Sequence, residues 1–155
     1  MVSPIKVFVD SSLFIEYIKG NKTELLEKLF ASKLDLCINS TVLSELLYHY
    51  LRYYVGKSPR ALKENKSIHQ VFTQNNPQEL IDELTLIAEN DSLKEQTIEA
   101  MRKYNLLSND AIILVDCKNN QINYVTSYDP DFKGFCEDEN INLISDDLVF
   151  DKYFP

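Results

Sequence analysis

Ile5-Lys6-Val7-Phe8-Val9-Asp10-Ser11-Ser12 is the stretch that decides the fold. Its apolar, mostly β-branched centre is typical of a buried strand. Asp10 follows this strand directly, and an apolar helical pattern begins after the two serines. Parallel α/β sheets bind ligands at the carboxyl ends of their strands, so Asp10 is a candidate site residue. Capping of the next helix by Asp10, Ser11 or Ser12 explains the same residues, and both interpretations stay open at this point.

The composition is that of a globular chain. Of the 155 residues, 45% are hydrophobic and 26% are charged, and no apolar stretch approaches the roughly 20 residues that cross a bilayer. Three widely separated cysteines disfavour a structural zinc site or a disulfide framework. The N-terminus lacks the pattern of a signal peptide, so we expect a cytoplasmic protein without membrane contact. The formal net charge of -8 disfavours binding of nucleic acid through bulk positive charge, but it allows a nucleic-acid enzyme that uses divalent cations.

Alternating strand and helix patterns predict one α/β domain over residues 1–155. Further strands are predicted at 34–38, 122–126 and 141–144. The crossovers between them are long enough for parallel pairing, which predicts a central parallel sheet of four to five strands. Residues 56–77 are polar and contain prolines, so we expect an inserted loop or helical hairpin there. Residues 78–89 fit a helix, while 84–88 fit an edge strand equally well.

Carboxylates occur at four places that belong to the carboxyl edge of such a sheet. They are Asp10 after the first strand, Glu45 in the helix after the second, Asp110 in the first turn of a buried helix, and Asp129 with Asp131 after the strand that ends at Thr126. Alone, Glu45 fits a surface acid, Asp110 fits a partner of the helix dipole, and Asp129-Pro130 fits a turn. Together, these carboxylates would repel one another unless a cation is bound.

An all-oxygen set of ligands favours Mg²⁺ or Mn²⁺ over zinc. Sites of this kind typically perform metal-assisted phosphoryl chemistry, in which the metal activates a water and stabilises the leaving oxygen. His49 lies one helical turn from Glu45 and fits either a surface residue or a phosphate contact. The densest basic cluster, which is either a solvated face or an RNA contact, comprises Lys57, Arg60, Lys63 and Lys66.

Four motifs in order resemble those of PIN domains, and most of all those of the small prokaryotic PIN proteins that include the VapC toxins. They are VFVDSS at 7–12, TVLSELL at 41–47, LSNDAII at 107–113 and VTSYDPDF at 125–132. The resemblance implies a three-layer α/β/α sandwich whose acids hold Mg²⁺ or Mn²⁺ for endonucleolytic cleavage of RNA. It also implies a homodimer and, for a toxin, a small basic antitoxin protein as partner.

Carried over residue by residue, the resemblance assigns the first three metal-site acids to Asp10, Glu45 and Asp110. The fourth acid is Asp129 or Asp131. The supporting polar groups that it implies are Ser12, Asn109, Thr126 and Ser127. We therefore predict a divalent-metal-dependent endoribonuclease that hydrolyses RNA phosphodiesters.

Two other functions compete with this prediction. One is a non-catalytic PIN-like module that binds RNA or a protein, although such a module has no need of the acids. The other is a haloacid-dehalogenase-like phosphatase, whose nucleophilic aspartate also follows the first strand. That family requires a second aspartate two positions later, where this chain has Ser12.

Overall fold

The computed structural model describes residues 2–56 and 58–155, which are built around a five-stranded sheet. The strands are β1 (Lys6–Val9), β2 (Asp35–Ile38), β3 (Thr85–Leu86), β4 (Tyr124–Thr126) and β5 (Asn142–Ile144). They lie in the order β3-β2-β1-β4-β5, and neighbouring strands are parallel. Helices flank the sheet, so the predicted α/β/α fold with a parallel sheet of four to five strands is confirmed.

The helices alternate with these strands along the chain. Between β1 and β2 lie α1 (Ser11–Ile18) and α2 (Glu24–Ala31). Between β2 and β3 lie α3 (Ser40–Val55), α4 (Pro59–Glu64), α5 (Ile68–Gln74) and α6 (Gln78–Ile81). Between β3 and β4 lie α7 (Leu93–Tyr104) and α8 (Ser108–Asn119). A 3₁₀ turn (Pro130–Phe132) and α9 (Lys133–Asp138) precede β5, and α10 (Asp147–Tyr153) follows it. None of the helices in the described ranges is long and apolar enough to cross a membrane.

The strand order reverses at β1. Phe8 pairs with Cys37 of β2 on one side and with Val125 of β4 on the other, so the chain builds the sheet outwards from β1 in both directions. Val9 pairs with Thr126, which places the carboxyl ends of β1 and β4 side by side. Open α/β sheets form a cleft at such a reversal, and their ligands bind there.

The hydrophobic core is centred on β1 and α8. Val7, Phe8 and Val9 are completely buried, as expected for an interior strand of a parallel sheet. Ile113 and Leu114 of α8 are also completely buried although they point in different directions from the helix axis. The predicted buried helix is therefore confirmed.

Two segments that the sequence left open have definite structures. The polar segment 56–77 contains α4 and α5, which pack against α3 through a small apolar cluster. Of the two alternatives left open for the end of 78–89, the structure has the edge strand: α6 ends at Ile81, and β3 lies within 84–88. Pairing with β2 gives the backbone of β3 hydrogen-bond partners, and this tertiary pairing overrides the local helical pattern.

Candidate metal centre at the sheet edge

Asp10 lies at the carboxyl end of β1 and is almost completely buried. Its Oδ2 accepts hydrogen bonds from the hydroxyls of Ser12 (2.7 Å) and Ser127 (2.8 Å). The backbone N–H of Ser12 also donates to Oδ2, which makes Asp10 the N-cap of α1. Helix capping and membership of the acidic edge are therefore compatible, because one carboxylate does both.

Burial raises the pKa of Asp10. The hydroxyls of Ser12 and Ser127 oppose this shift by stabilising the ionised form, and the nearby charge of Glu45 adds to it. Within the described part of the chain, all hydrogen bonds to this carboxylate fall on Oδ2. The second oxygen, Oδ1, is therefore the one with capacity for an outside ligand.

Glu45 lies in the second turn of α3 and is held from both sides. Its Oε2 accepts a hydrogen bond of 2.6 Å from the Ser11 hydroxyl, and its Oε1 accepts one of 2.7 Å from the Asn109 side-chain amide. Glu45 thus joins the first turn of α1 to the first turn of α8. Glu45 is therefore half-buried and hydrogen-bonded through both oxygens, which favours a role in the centre over that of a freely solvated surface acid.

Asp110, in the first turn of α8, lies among the other acids. Burial raises its pKa, and the charges of four other carboxylates raise it further, to about 6. In order of effect these carboxylates are Asp129, Asp10, Glu45 and Asp131. Charges in water act only over short distances, so the other four predicted acids lie in the neighbourhood of Asp110.

The two acids after β4 are placed differently. The Asp129 backbone N–H donates to the Ser127 hydroxyl (3.0 Å), and its Oδ1 accepts a hydrogen bond from the Asp131 backbone N–H (2.9 Å). Asp129 is half-buried, whereas Asp131 is exposed. Asp129 also has the larger effect on the pKa of Asp110. These three observations favour Asp129 over Asp131 as the fourth acid of the centre.

Three of the four predicted supporting groups touch the acids. Ser12 and Ser127 donate to Asp10, and Asn109 donates to Glu45. Thr126 does not: its hydroxyl donates to the Phe8 carbonyl at 3.0 Å, while its own carbonyl accepts the Asp10 N–H at 3.0 Å. Thr126 therefore fixes β4 against β1 and acts on Asp10 only through the backbone.

A buried hydrogen-bonded pair that sequence reasoning missed, Asn39 and Asp116, joins two of the helices that carry the acids. Asn39 caps α3 by accepting the Val42 N–H, and its side-chain amide donates to Asp116 of α8 at 2.8 Å. Asp116 is completely buried, and burial raises its pKa to about 6. This bond joins the helices that carry Glu45 and Asp110.

The arrangement suits a hard divalent cation by the chemistry of its ligands. All side chains that converge on the centre offer oxygen, and their mutual repulsion is what a bound cation relieves. In the conformation described for residues 2–56 and 58–155, however, no three Asp, Glu, His or Cys side chains are grouped closely enough to hold a metal ion. Asp10 and Glu45 instead turn towards hydroxyl and amide donors, so binding requires small side-chain rotations.

The basic cluster predicted in the segment 56–77 is only partly described. Lys57 lies outside the described residues. Arg60 forms an ion pair with Glu64 at 3.1 Å, which neutralises part of the cluster. Lys63 and Lys66 are exposed. The described part of this cluster thus has the character of a solvated face.

Comparisons with known proteins identify the family that shares this fold and these sequence motifs. The profile of the PIN domain family matches residues 7–138. Ribonuclease VapC2 of Methanocaldococcus jannaschii is 32% identical over 130 residues, covering 83% of this chain and 87% of VapC2. Ribonuclease VapC6 of the same organism is 31% identical over 145 residues, covering 85% of this chain and 94% of VapC6. This chain belongs to the PIN-domain family.

A solved structure agrees with this assignment at the level of the fold. A toxin–antitoxin complex from Klebsiella pneumoniae contains a chain that superposes with a TM-score of 0.59. The match has 17% sequence identity and covers 83% of this chain and 91% of that chain. The prediction of a VapC-like PIN protein is therefore confirmed by the family match and by the two curated relatives.

Proposed function

We propose that this chain is a divalent-metal-dependent endoribonuclease that hydrolyses RNA phosphodiesters as the toxin of a toxin–antitoxin pair. It acts in the cytoplasm, and residues 1–155 form one PIN-like domain. The observation that carries the proposal is the position of Asp110, half-buried among four other carboxylates whose charges raise its pKa. Two relatives that are named ribonucleases support RNA as the substrate.

We assign the metal ligands to Asp10, Glu45, Asp110 and Asp129, with Asp131 as an additional acid at the edge. Mg²⁺ or Mn²⁺ bound there supplies a Lewis acid that activates water and stabilises the leaving oxygen. None of the carboxylates is covalently modified in this proposal.

The neighbouring polar residues orient these carboxylates. Ser12 and Ser127 fix Asp10 Oδ2 and thereby direct Oδ1 towards the centre. Ser11 and Asn109 each hold one oxygen of Glu45. Such hydrogen bonds keep ligands in place before substrate arrives, and their removal typically lowers metal affinity or activity about 10–100-fold.

A separate cleft is suited to a protein partner. A cleft of about 500 Å³ lies between α1, α2, α3 and α6, and its walls include the aromatic rings of Tyr17, Tyr50 and Tyr54. It also contains Glu79 and Glu83. An amphipathic, basic segment of an antitoxin complements both properties. Homodimer formation stays a prediction.

Metal dependence tests the proposed function. Purified protein should cleave single-stranded RNA in Mg²⁺ or Mn²⁺, EDTA should abolish cleavage, and excess Mn²⁺ should restore it. The double variant Asp10→Asn, Asp110→Asn should lose at least about 100- to 1000-fold in rate, since it removes two groups that position the reaction. A matched double variant of exposed acids, Asp82→Asn, Asp91→Asn, should cleave normally. Unchanged cleavage by the first variant would refute the proposal.

Calorimetry separates the enzyme from a non-catalytic binding module. The enzyme should bind Mn²⁺ in the micromolar to millimolar range, and the Asp10→Asn, Asp110→Asn variant should not. RNA binding by a protein that neither binds Mn²⁺ nor cleaves would support the binding module instead.

A further inference from the structure

A second cleft of about 400 Å³ lies between α1 and α3, outside the acidic centre. Its walls consist of Ile15, Ile18, Lys19, His49, Arg52 and Tyr53. The cleft is thus lined by two cations, one histidine, one tyrosine and two apolar residues. The cleft therefore places two cations side by side and has no acid among the described residues of its walls, although the chain has a net charge of -8.

The cleft is formed by two helices, α1 and α3, that also carry Ser11 and Glu45 at the acidic centre. At the centre, α1 and α3 are joined by the bond from Ser11 to Glu45. One turn further along α3 comes His49, about 6 Å from Glu45 along the helix axis, and Arg52 follows at about 10 Å. A strand of RNA whose phosphodiester lies at the acids therefore has its next nucleotides over this cleft if it runs along α1 and α3.

The cations in the cleft are available to a ligand. Arg52 is exposed and forms no salt bridge within the described ranges. Lys19 is exposed and has only a long contact of 3.5 Å with Glu16. His49 shares the walls of the cleft with both cations; burial lowers its pKa, and Arg52 and Lys19 lower it further against the opposing charge of Glu45.

Aromatic rings lie beside these cations. Tyr53 in the cleft is 49% exposed. Tyr48 is 50% exposed, and its ring stacks edge-on against His49 with 5.5 Å between the centroids. Exposed rings next to cations are the combination that single-stranded nucleic acids require, since phosphates pair with the cations while bases stack on the rings.

We propose that the cleft between α1 and α3 binds the nucleotides adjacent to the cleaved phosphodiester of single-stranded RNA, with Lys19 and Arg52 contacting phosphates and Tyr53 stacking on a base. This inference rests on the proposed function and specifies how an acidic chain holds an acidic substrate. A protein surface is the competing occupant, but a cationic cleft on the two helices that carry Ser11 and Glu45 complements a polyanion better than it complements an apolar partner.

The test compares two pairs of cations. Lys19→Gln, Arg52→Gln alters the cleft, and Arg60→Gln, Lys63→Gln makes the same change of charge on the exposed face of α4. Binding of a fluorescein-labelled oligouridylate is measured by anisotropy in EDTA, so that the RNA stays intact, over a series of salt concentrations. Circular dichroism and sedimentation check the fold and the oligomeric state of each variant.

The cleft variant should bind about ten- to thirty-fold more weakly at about 0.1 M salt, and its log–log salt slope should fall by about 1.4, as expected for two lost phosphate contacts. The α4 variant should bind like the wild type. Tyr53→Leu should weaken binding with the salt slope unchanged, because it removes a ring and no charge.

Equal binding by both charge variants overturns the inference, as does a change confined to the oligomeric state. If the wild type cleaves RNA and both variants bind equally, only the cleft fails and the proposed function stands. If the wild type binds RNA without cleaving it and the cleft variant loses binding, the cleft stands and the proposed nuclease fails.

Discussion

Asp10 and Asp110 lie at the same sheet edge but are held in opposite ways. Asp10 is buried between β1 and β4, and two hydroxyls and one N–H donate to its Oδ2. Asp110 is half-buried at the start of α8, and no hydrogen bond reaches its carboxylate from the described residues. Burial is the largest cause of the raised pKa of Asp110, and the charges of four acids raise it further.

If the proposed function holds, the centre combines one ligand that is oriented in advance, Asp10, with one that the bound cation would neutralise, Asp110. The hydroxyls fix the orientation of Asp10 before any ligand binds. The carboxylate of Asp110 is repelled by its acidic neighbours, and a divalent cation would remove that repulsion. In this proposal, relief of the repulsion provides affinity for the metal, while the hydroxyls around Asp10 fix the geometry of the ligand.

Replacing either acid by its amide gives the largest expected effect. Asp10→Asn and Asp110→Asn should each reduce the rate of RNA cleavage by about 100- to 1000-fold, because each removes a negative ligand from the metal. Rates are measured in saturating Mn²⁺, with thermal unfolding to confirm that each variant is folded. Near-normal cleavage by Asp110→Asn would show that Asp110 is not a metal ligand. Its role would then be limited to a favourable interaction with the helix dipole of α8.

Removing one hydroxyl gives an intermediate effect. Ser127 donates to Asp10 and accepts from the Asp129 backbone, so Ser127→Ala should loosen two acids at once. We expect cleavage to fall about 10–100-fold and Mn²⁺ affinity to fall with it. The matched control is Ser145→Ala, an exposed serine after β5 that should behave like the wild type. A loss of stability with normal Mn²⁺ affinity would give Ser127 a structural role only.

The sequence predicts the parts of this molecule that depend on local pattern. A short apolar run followed by an acid defines β1 and Asp10, and an all-round apolar helix defines α8 and Asp110. The order of strands and helices then places the acids at one edge, because parallel strands end on the same side. These inferences require no knowledge of individual contacts.

Contacts between distant side chains are beyond the reach of such patterns. The Ser11–Glu45 bond joins residues 34 positions apart, and Asn39–Asp116 joins residues 77 apart. Ser11 had a weak signal, as a hydroxyl directly after Asp10, but its partner depends on how α1 packs against α3. The role of Thr126 was also missed, since a hydroxyl in a strand can face either a ligand or the backbone of its neighbour.

The smallest expected effect is the pH dependence of stability without metal. The pKa of Asp110 is raised from 3.8 to about 6 in the folded chain, so between these values the folded state binds more protons than the unfolded state. Stability from this group therefore falls as the pH rises through about 6. In EDTA, Asp110→Asn should raise the unfolding temperature relative to the wild type at pH 7.5 by about a few degrees, with little difference near pH 4.

Salt distinguishes the source of this difference. The acids that surround Asp110 act through charge at a partly exposed site, so the advantage of Asp110→Asn at neutral pH should shrink in 1 M salt, where screening is strong. Asp116→Asn is the contrasting variant: burial is the largest cause of the raised pKa of both acids, but the charge of a single carboxylate, Glu89, adds to it at Asp116, against four at Asp110. If salt does not change the pH effect of Asp110→Asn, burial alone raises the pKa of Asp110. The neighbouring acids would then not repel Asp110 measurably, and this contrast with Asp10 would be wrong.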